Sequence, residues 1–140
     1  METYTLRQYL NGEFYDSFNE ADKARIAETR LANDNNQWFG TSGGNETSDR
    51  IFLLSLEEVV KYFGDSGQLR NRPSNEIIDD QYNSERIATD ANGGASEWRL
   101  RSPGSNSDSA ALVLSVGRVL VRGYVIYANA PFRPALWLNL

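Results

Sequence analysis

The sequence predicts an α+β domain, with short helices in the N-terminal half and a small antiparallel sheet in the C-terminal third. Three observations predict it. Ser55-Leu56-Glu57-Glu58 reads as a capping box, and Val59, Val60, Tyr62 and Phe63 continue a helix behind it. Residues 110–127 alternate around Gly117 with the period of two that strands require. Helix-like segments come first and strand-like segments last, which favours α+β over an alternating α/β order.

Taken in order, Leu6, Tyr9 and Leu10 share one helical face, and Gly12 is expected to stop that helix. Phe14, Tyr15 and Phe18 form an aromatic cluster. Asn19 is a cap whose side chain can accept from the Asp22 amide, for a helix over residues 20–28 with Ala21, Ala24 and Ile26 partly inward. Residues 33–50 are rich in Asn, Gly, Ser and Thr and read as a loop, which Trp38 and Phe39 would anchor. Residues 51–54 are a short buried run, and Gly64 ends the capped helix. A second polar stretch, residues 65–96, carries Ile77, Ile78, Tyr82 and Ile87 as anchors. Residues 98–101 form a strand, residues 110–116 and 118–127 two more, and residues 135–138 a buried strand.

The chain has 140 residues, which is one domain by length, spanning residues 1–140: a helical scaffold with long loops over 1–96 and a β ribbon over 97–140. It contains no cysteine and no histidine. That excludes disulfides, thiolate zinc sites, cysteine nucleophiles, imidazole metal ligands and a Ser-His-Asp triad. No apolar run approaches the roughly 20 residues of a membrane span, so no membrane insertion is expected. The N-terminus lacks the basic start and apolar stretch of a signal peptide. Localisation is therefore open; as part of a larger protein the chain would suit display on a cell surface or a virion. Residues 1–96 hold 9 basic and 17 acidic side chains, whereas residues 97–140 hold 5 arginines and 2 acids. The acidic body argues against nucleic-acid binding, and the positive last third favours an anionic partner locally.

The ribbon carries the candidate site. Its odd positions, among them Val113, Val119, Val121 and Val125, are small or β-branched, as an inward face should be. Its even positions are Leu112, Leu114, Val116, Arg118, Leu120, Arg122, Tyr124 and Ile126, which are larger and chemically mixed. Tyrosine, arginine and large aliphatic side chains side by side have the composition of interface anchors. Glu97, Arg99, Tyr127 and Phe132 extend the patch. An acidic or protein-surface ligand fits such a face better than a neutral sugar does. A glycan-binding role would need Trp38, Phe39 and Trp98 as stacking platforms, and an assembly role would pair the same face with another subunit, a homo-oligomer included.

Four blocks carry a resemblance: residues 6–15 (LRQYLNGEFY), 51–63 (IFLLSLEEVVKYF), 98–104 (WRLRSPG) and 133–138 (RPALWL). In this order they resemble a family of bacterial domains with a C-type lectin-like fold, that of formylglycine-generating-enzyme relatives. Members of that family carry a further β segment ahead of the first block. The resemblance implies either that the fold closes without that segment or that the chain is a trimmed or terminal domain. Formylglycine-generating enzymes act through cysteines, so that activity is excluded here. C-type lectin-like domains also serve as variable proteins of diversity-generating retroelements, in which selected codons near the end of the gene are mutated. The last third resembles such a region. Framework residues such as Trp98, Ala110, Ala111, Gly117 and Gly123 alternate with the chemically mixed positions named above, and with Ala128 and Ala130.

Other chemistry is thinly represented. Asp34, Asn35 and Asn36, or Asp79 and Asp80, are oxygen-rich but lack the calcium-lectin patterns, and read as polar loops. Glu57 and Glu58 point apart on a helix and do not form a glycosidase pair. Gly43-Gly44 and Gly93-Gly94 lack the Lys-Ser/Thr of a phosphate loop. Arg101 and Arg133 are expected in structural ion pairs. The expectation is thus a non-catalytic domain without metal or cofactor that binds a protein or glycan.

Overall fold

The computed structural model describes residues 4–125 and 130–140. It combines short helices with small antiparallel sheets, an α+β architecture. Helix α1 (Tyr4–Tyr9) runs directly into a π-helical turn over Leu10–Phe14. Gly12 therefore does not stop the helix, and its φ is not positive. Asn11 supplies the reason. Its amide donates to the Arg7 and Ile51 carbonyls at 3.1 and 2.9 Å, and its Oδ1 accepts from the Arg50 and Ile51 amides at 2.7 and 3.1 Å. These long-range bonds hold the chain wound past the glycine.

Helix α2 (Glu20–Arg25) is capped as expected, with the Asn19 side chain accepting from the Asp22 amide at 2.8 Å. It stops short of residue 28, because Ile26 turns extended and bridges Leu138. Ile26 is buried, whereas Ala21 and Ala24 face solvent. The polar stretch 33–50 is not all loop. Strand β2 (Thr47–Asp49) pairs antiparallel with β1 (Thr29–Leu31), in a register that sets Leu31 opposite Thr47.

Helix α3 (Leu56–Phe63) has the full capping box: Ser55 Oγ accepts from the Glu58 amide, and Glu58 Oε1 accepts from the Ser55 amide. Gly64 caps its other end at φ 129°. Leu56, Val59 and Val60 fall on one face by the helical repeat and are buried. That face packs on Leu69, Ile78, Trp98, Leu100, Val113, Val119 and Val121. Each such side chain contributes about 1.5–3 kcal/mol by leaving water. A second cluster, Leu10, Ile51 and Leu53, gathers the aromatic residues Phe14, Tyr15 and Phe18.

A 3-10 turn (Asn83–Arg86) and a two-residue ribbon, β3 (Ala88–Thr89) with β4 (Ala95–Ser96), lead into the main sheet. That sheet has the order β5-β6-β7, all antiparallel: β5 (Trp98–Pro103), β6 (Ser109–Val113) and β7 (Val119–Val125). The hairpin between β6 and β7 turns at Gly117, with φ 88°, where an added Cβ would sit 1.8 Å from the Asn83 carbonyl oxygen. Strand β6 ends at Val113 and β7 begins at Val119, so residues 114–118, expected partly in strands, form the turn.

The segment after residue 130 does not form the buried strand expected over 135–138. It makes isolated bridges instead, Ala135 with Phe52 and Leu138 with Ile26, and Trp137 and Leu138 are about half exposed, at 49% and 53%. Because successive residues pair with different segments, no face of the stretch is covered along its length. The Trp137 ring lies edge-on to Tyr62. Among the described residues no helix is long and apolar enough to cross a membrane.

Candidate functional site

The block 98–104 is built into the framework. The Trp98 indole donates to the Arg86 carbonyl at 3.0 Å. The Arg101 guanidinium pairs with Glu58 and donates to the Leu53 and Ala32 carbonyls. Ser102 Oγ accepts from the Leu56 amide at 2.9 Å, so β5 helps to cap α3. A Cβ on Gly104 would sit 2.1 Å from the Arg122 carbonyl oxygen. Arg101 thus has its expected ion pair. Arg133 has none among the described residues: its guanidinium lies 5.2 and 5.0 Å from the Phe63 and Trp98 ring centroids, and its buried Nη1 has no hydrogen-bond partner among them.

The sheet has one face on the core and a second, outer face that is exposed only along β7, since Arg99, Ala110 and Leu112 are buried on it. Trp98, Leu100, Ala111, Val113, Val119 and Val121 point in. Arg99, Leu112 and Leu120 form a cross-strand row on the other face, since Arg99 stands opposite Leu112 and Leu112 opposite Leu120. Beyond that row the β6–β7 register shifts, and Ala110 stands opposite Tyr124. Three β7 residues lie between Leu120 and Tyr124, against one β6 residue between Leu112 and Ala110. The shift is therefore two residues, and an even shift keeps every side chain on its face. That is why the odd–even reading survives the bulge.

The expected site residues divide into groups. Glu97, Arg99, Leu112, Leu120 and Tyr124 come together on or beside the outer face. Phe132 joins them through a parallel bridge with Arg99, whose amide donates to the Pro131 carbonyl at 3.0 Å. Tyr124 Oη donates to Glu97 Oε2 at 3.0 Å and so links the two sides of the sheet across β6. Arg122 is exposed, within the bulge. Leu114, Val116 and Arg118 are corrected: they belong to the hairpin turn, away from the row, and Arg118 lies 3.8 Å from Asp79. Val125, expected inward, is 66% exposed, because β7 runs past the end of the core there. Ile126 and Tyr127 lie outside the described residues, as does Ala128.

A pit of about 20 Å³ opens on this face between Glu97, Arg99, Ala110, Leu112, Tyr124, Val125, Ala130 and Pro131. Arg99, expected at the edge of the patch, is only 8% exposed, and among the described residues its Nε and Nη2 have no hydrogen-bond partner. Burial pushes its guanidinium pKa down from the usual value. An arginine stays charged even so, and a buried unpaired charge is costly. Arg99→Met, which keeps the packing stem and removes the charge, is expected to raise stability by about 1–3 kcal/mol in urea unfolding. A fall in the unfolding midpoint would mean that the guanidinium is structurally required.

Other groups are already engaged. A larger cavity of about 430 Å³ lies between the first helix and residues 51–53, but its arginines are paired, Arg7 with Asp49 and Arg101 with Glu58. Asn36, weighed as a cation ligand, is a buried strut: it donates to the Pro103 and Val121 carbonyls and accepts from the Trp38 and Phe39 amides. Asp80 pairs with the buried Arg86. Among the described residues no group of three acidic side chains is arranged to hold a metal ion. The rings considered for sugar stacking are occupied too. Trp98 is buried, and the Arg72 guanidinium covers both Trp38 and Phe39.

A family model described as a domain of unknown function, DUF6273, matches residues 2–140. We find no match to a curated protein or to a solved structure.

Proposed function

We propose a binding role for this chain, which belongs to the DUF6273 family: a non-catalytic domain, with a C-type lectin-like fold, that takes its ligand on the outer face of β5–β7. The observation that carries the reading is the division of the sheet. Its inward residues are uniformly apolar and sealed against α3, so the backbone holds its shape whatever stands outside. Its outward residues, Arg99, Leu112, Leu120, Arg122 and Tyr124, are large and dissimilar; Arg122 and Tyr124 are exposed and Leu120 is half-buried, whereas Arg99 and Leu112 are buried. A rigid backbone that presents replaceable side chains is the arrangement a variable protein of a diversity-generating retroelement needs, and we assign the chain that role. The partner is then a macromolecular ligand, and no cofactor takes part.

Sequencing the gene across a population of its source tests the role. Substitutions should concentrate at codons 97, 99, 112, 120, 122, 124 and 132, while residues 100–104 and 133–138 stay constant. Variation spread evenly along the chain would refute it.

A further inference from the structure

We propose that Asn92 is a site of spontaneous covalent modification, converted to a mixture of aspartate and isoaspartate by the Gly93 nitrogen, and that the Asp90 carboxylate is the latch that sets the rate. The proposal does not depend on the binding role above. Two Asn-Gly steps occur in the chain, Asn11-Gly12 and Asn92-Gly93. Such a step is reactive because glycine has no side chain to shield its backbone nitrogen. In the reaction that nitrogen gives its proton to hydroxide and attacks Asn92 Cγ. The new C–N bond closes a five-membered succinimide ring, and the side-chain nitrogen leaves as ammonia. Water then opens the ring at either carbonyl. Cleavage at Cγ restores the ordinary backbone with an aspartate. Cleavage at the α-carbonyl leaves the backbone running through Cγ, as isoaspartate. Nothing is oxidised or reduced.

The fold protects one step and presents the other. The Asn11 side chain is held at four points, donating to the Arg7 and Ile51 carbonyls and accepting from the Arg50 and Ile51 amides. It cannot swing onto the Gly12 nitrogen without breaking all of them. Asn92 is exposed, and its backbone amide, not its side chain, is the group that is engaged. Gly93 is exposed as well, at φ 81°, with nothing within 4 Å of where a Cβ would stand.

What restrains Asn92 is its turn. The Gly93 amide donates to the Asp90 carbonyl at 3.0 Å, and Asp90 Oδ1 accepts from the Asn92 and Gly94 amides at 2.9 and 3.1 Å. Ring closure needs the Asn92 backbone to rotate and the Gly93 amide to leave that carbonyl, so the closed turn is unreactive. The stem that keeps it closed is only two pairs long, Ala88 with Ser96 and Thr89 with Ala95. So short a hairpin opens locally at little cost. Reaction then proceeds from the opened ribbon, and the Asp90 carboxylate, the side chain that ties the turn shut, governs how often it opens. Isoaspartate adds a methylene to the backbone, so the turn cannot close again with the same bonds, and the new carboxyl group stands beside Asp90. The ribbon ahead of β5 therefore loosens as the protein ages.

The test incubates the full chain at neutral pH in heavy-oxygen water and digests it with trypsin in ordinary water. Mass spectrometry then reads peptides 8–23 and 87–99, which carry one Asn-Gly step each. Asn92 should gain the labelled carboxyl group, with isoaspartate identified by backbone fragmentation, and Asn11 should convert at least about tenfold more slowly. Asp90→Ala should speed conversion at Asn92 several-fold and leave Asn11 unchanged. Equal rates at the two steps overturn the proposal. So does an Asn92 that stays intact in the native chain while it converts in a synthetic peptide of residues 87–99, since the turn is then permanently closed. A product that is aspartate alone also overturns it, because direct hydrolysis has then replaced ring closure. An Asp90→Ala chain that converts at the native rate, or faster at both steps alike, refutes the latch.

Discussion

Asp80→Asn is expected to destabilise the fold by about 3–5 kcal/mol, as removing one partner of a buried ion pair does. Arg86 is fully buried, and Asp80 Oδ2 lies 2.9 Å from its Nη2. The same guanidinium donates to the Gly64 and Gly117 carbonyls and to Asn83 Oδ1, at 3.2, 3.3 and 3.2 Å. One side chain therefore ties the end of α3, the 3-10 turn and the tip of the β6–β7 hairpin together. Asparagine would keep the shape of the aspartate and leave the arginine charged without a counter-ion. Arg86→Met combined with Asp80→Asn should cost less than the two single changes added together, because the second change no longer strands a charge.

The same pair gives stability a pH dependence. Burial acts to raise the Asp80 pKa, but hydrogen bonds from Arg86, Ser66 and the Tyr82 amide outweigh it and hold the carboxyl below its ordinary 3.8. A depressed folded-state pKa contributes stability that is fully present above the unfolded value and is lost as pH falls through the folded one. The gap in urea midpoint between the native chain and Asp80→Asn should thus be widest near neutral pH and should close below about pH 4. A gap that stays constant into acid would show that Asp80 does not act through its charge.

Asn36→Ala is expected to cost about 3 kcal/mol, although the residue sits in a stretch that reads as loop. Asn36 is 2% exposed, and both its amide hydrogens and its oxygen are in use. Alanine would leave the Pro103 and Val121 carbonyls and two amides without their partners, in a place water does not reach. Asn36→Asp should be worse than alanine, since it aims a carboxylate at two carbonyl oxygens. Urea unfolding of the two variants measures the order, and equal stability to the native chain would show that the strut is dispensable.

These residues mark where reading the chain stops being sufficient. Asn36 and Asp80 both read from sequence as oxygen-rich loop residues, and nothing in the chain singles out Arg86. Asn36 and Arg86 reach partners far away along the chain: Val121 is 85 residues from Asn36, and Gly117 is 31 from Arg86. The helix caps were legible because a cap is a local event. Asn19 needs only Asp22, and Ser55 needs only Glu58. Gly12 misled for the complementary reason, since a local stop signal was overridden by bonds from Asn11 to residues 50 and 51.

The candidate site divides along the same line. Sequence alone determined that β6 and β7 form a ribbon with a uniform face and a mixed one, because side-chain alternation is built into an extended backbone. It determined the turn at Gly117 and the location of the mixed face on the last third of the chain. Only the tertiary structure decided which members of the mixed set come together. It sent Leu114, Val116 and Arg118 to the hairpin turn, and it set Pro131 and Phe132 against Arg99. It alone also decided that Arg99 would be buried. Burial and pairing depend on what folds over a residue, and the segment that flanks Arg99, with Pro131 and Phe132, comes more than thirty residues later in the chain.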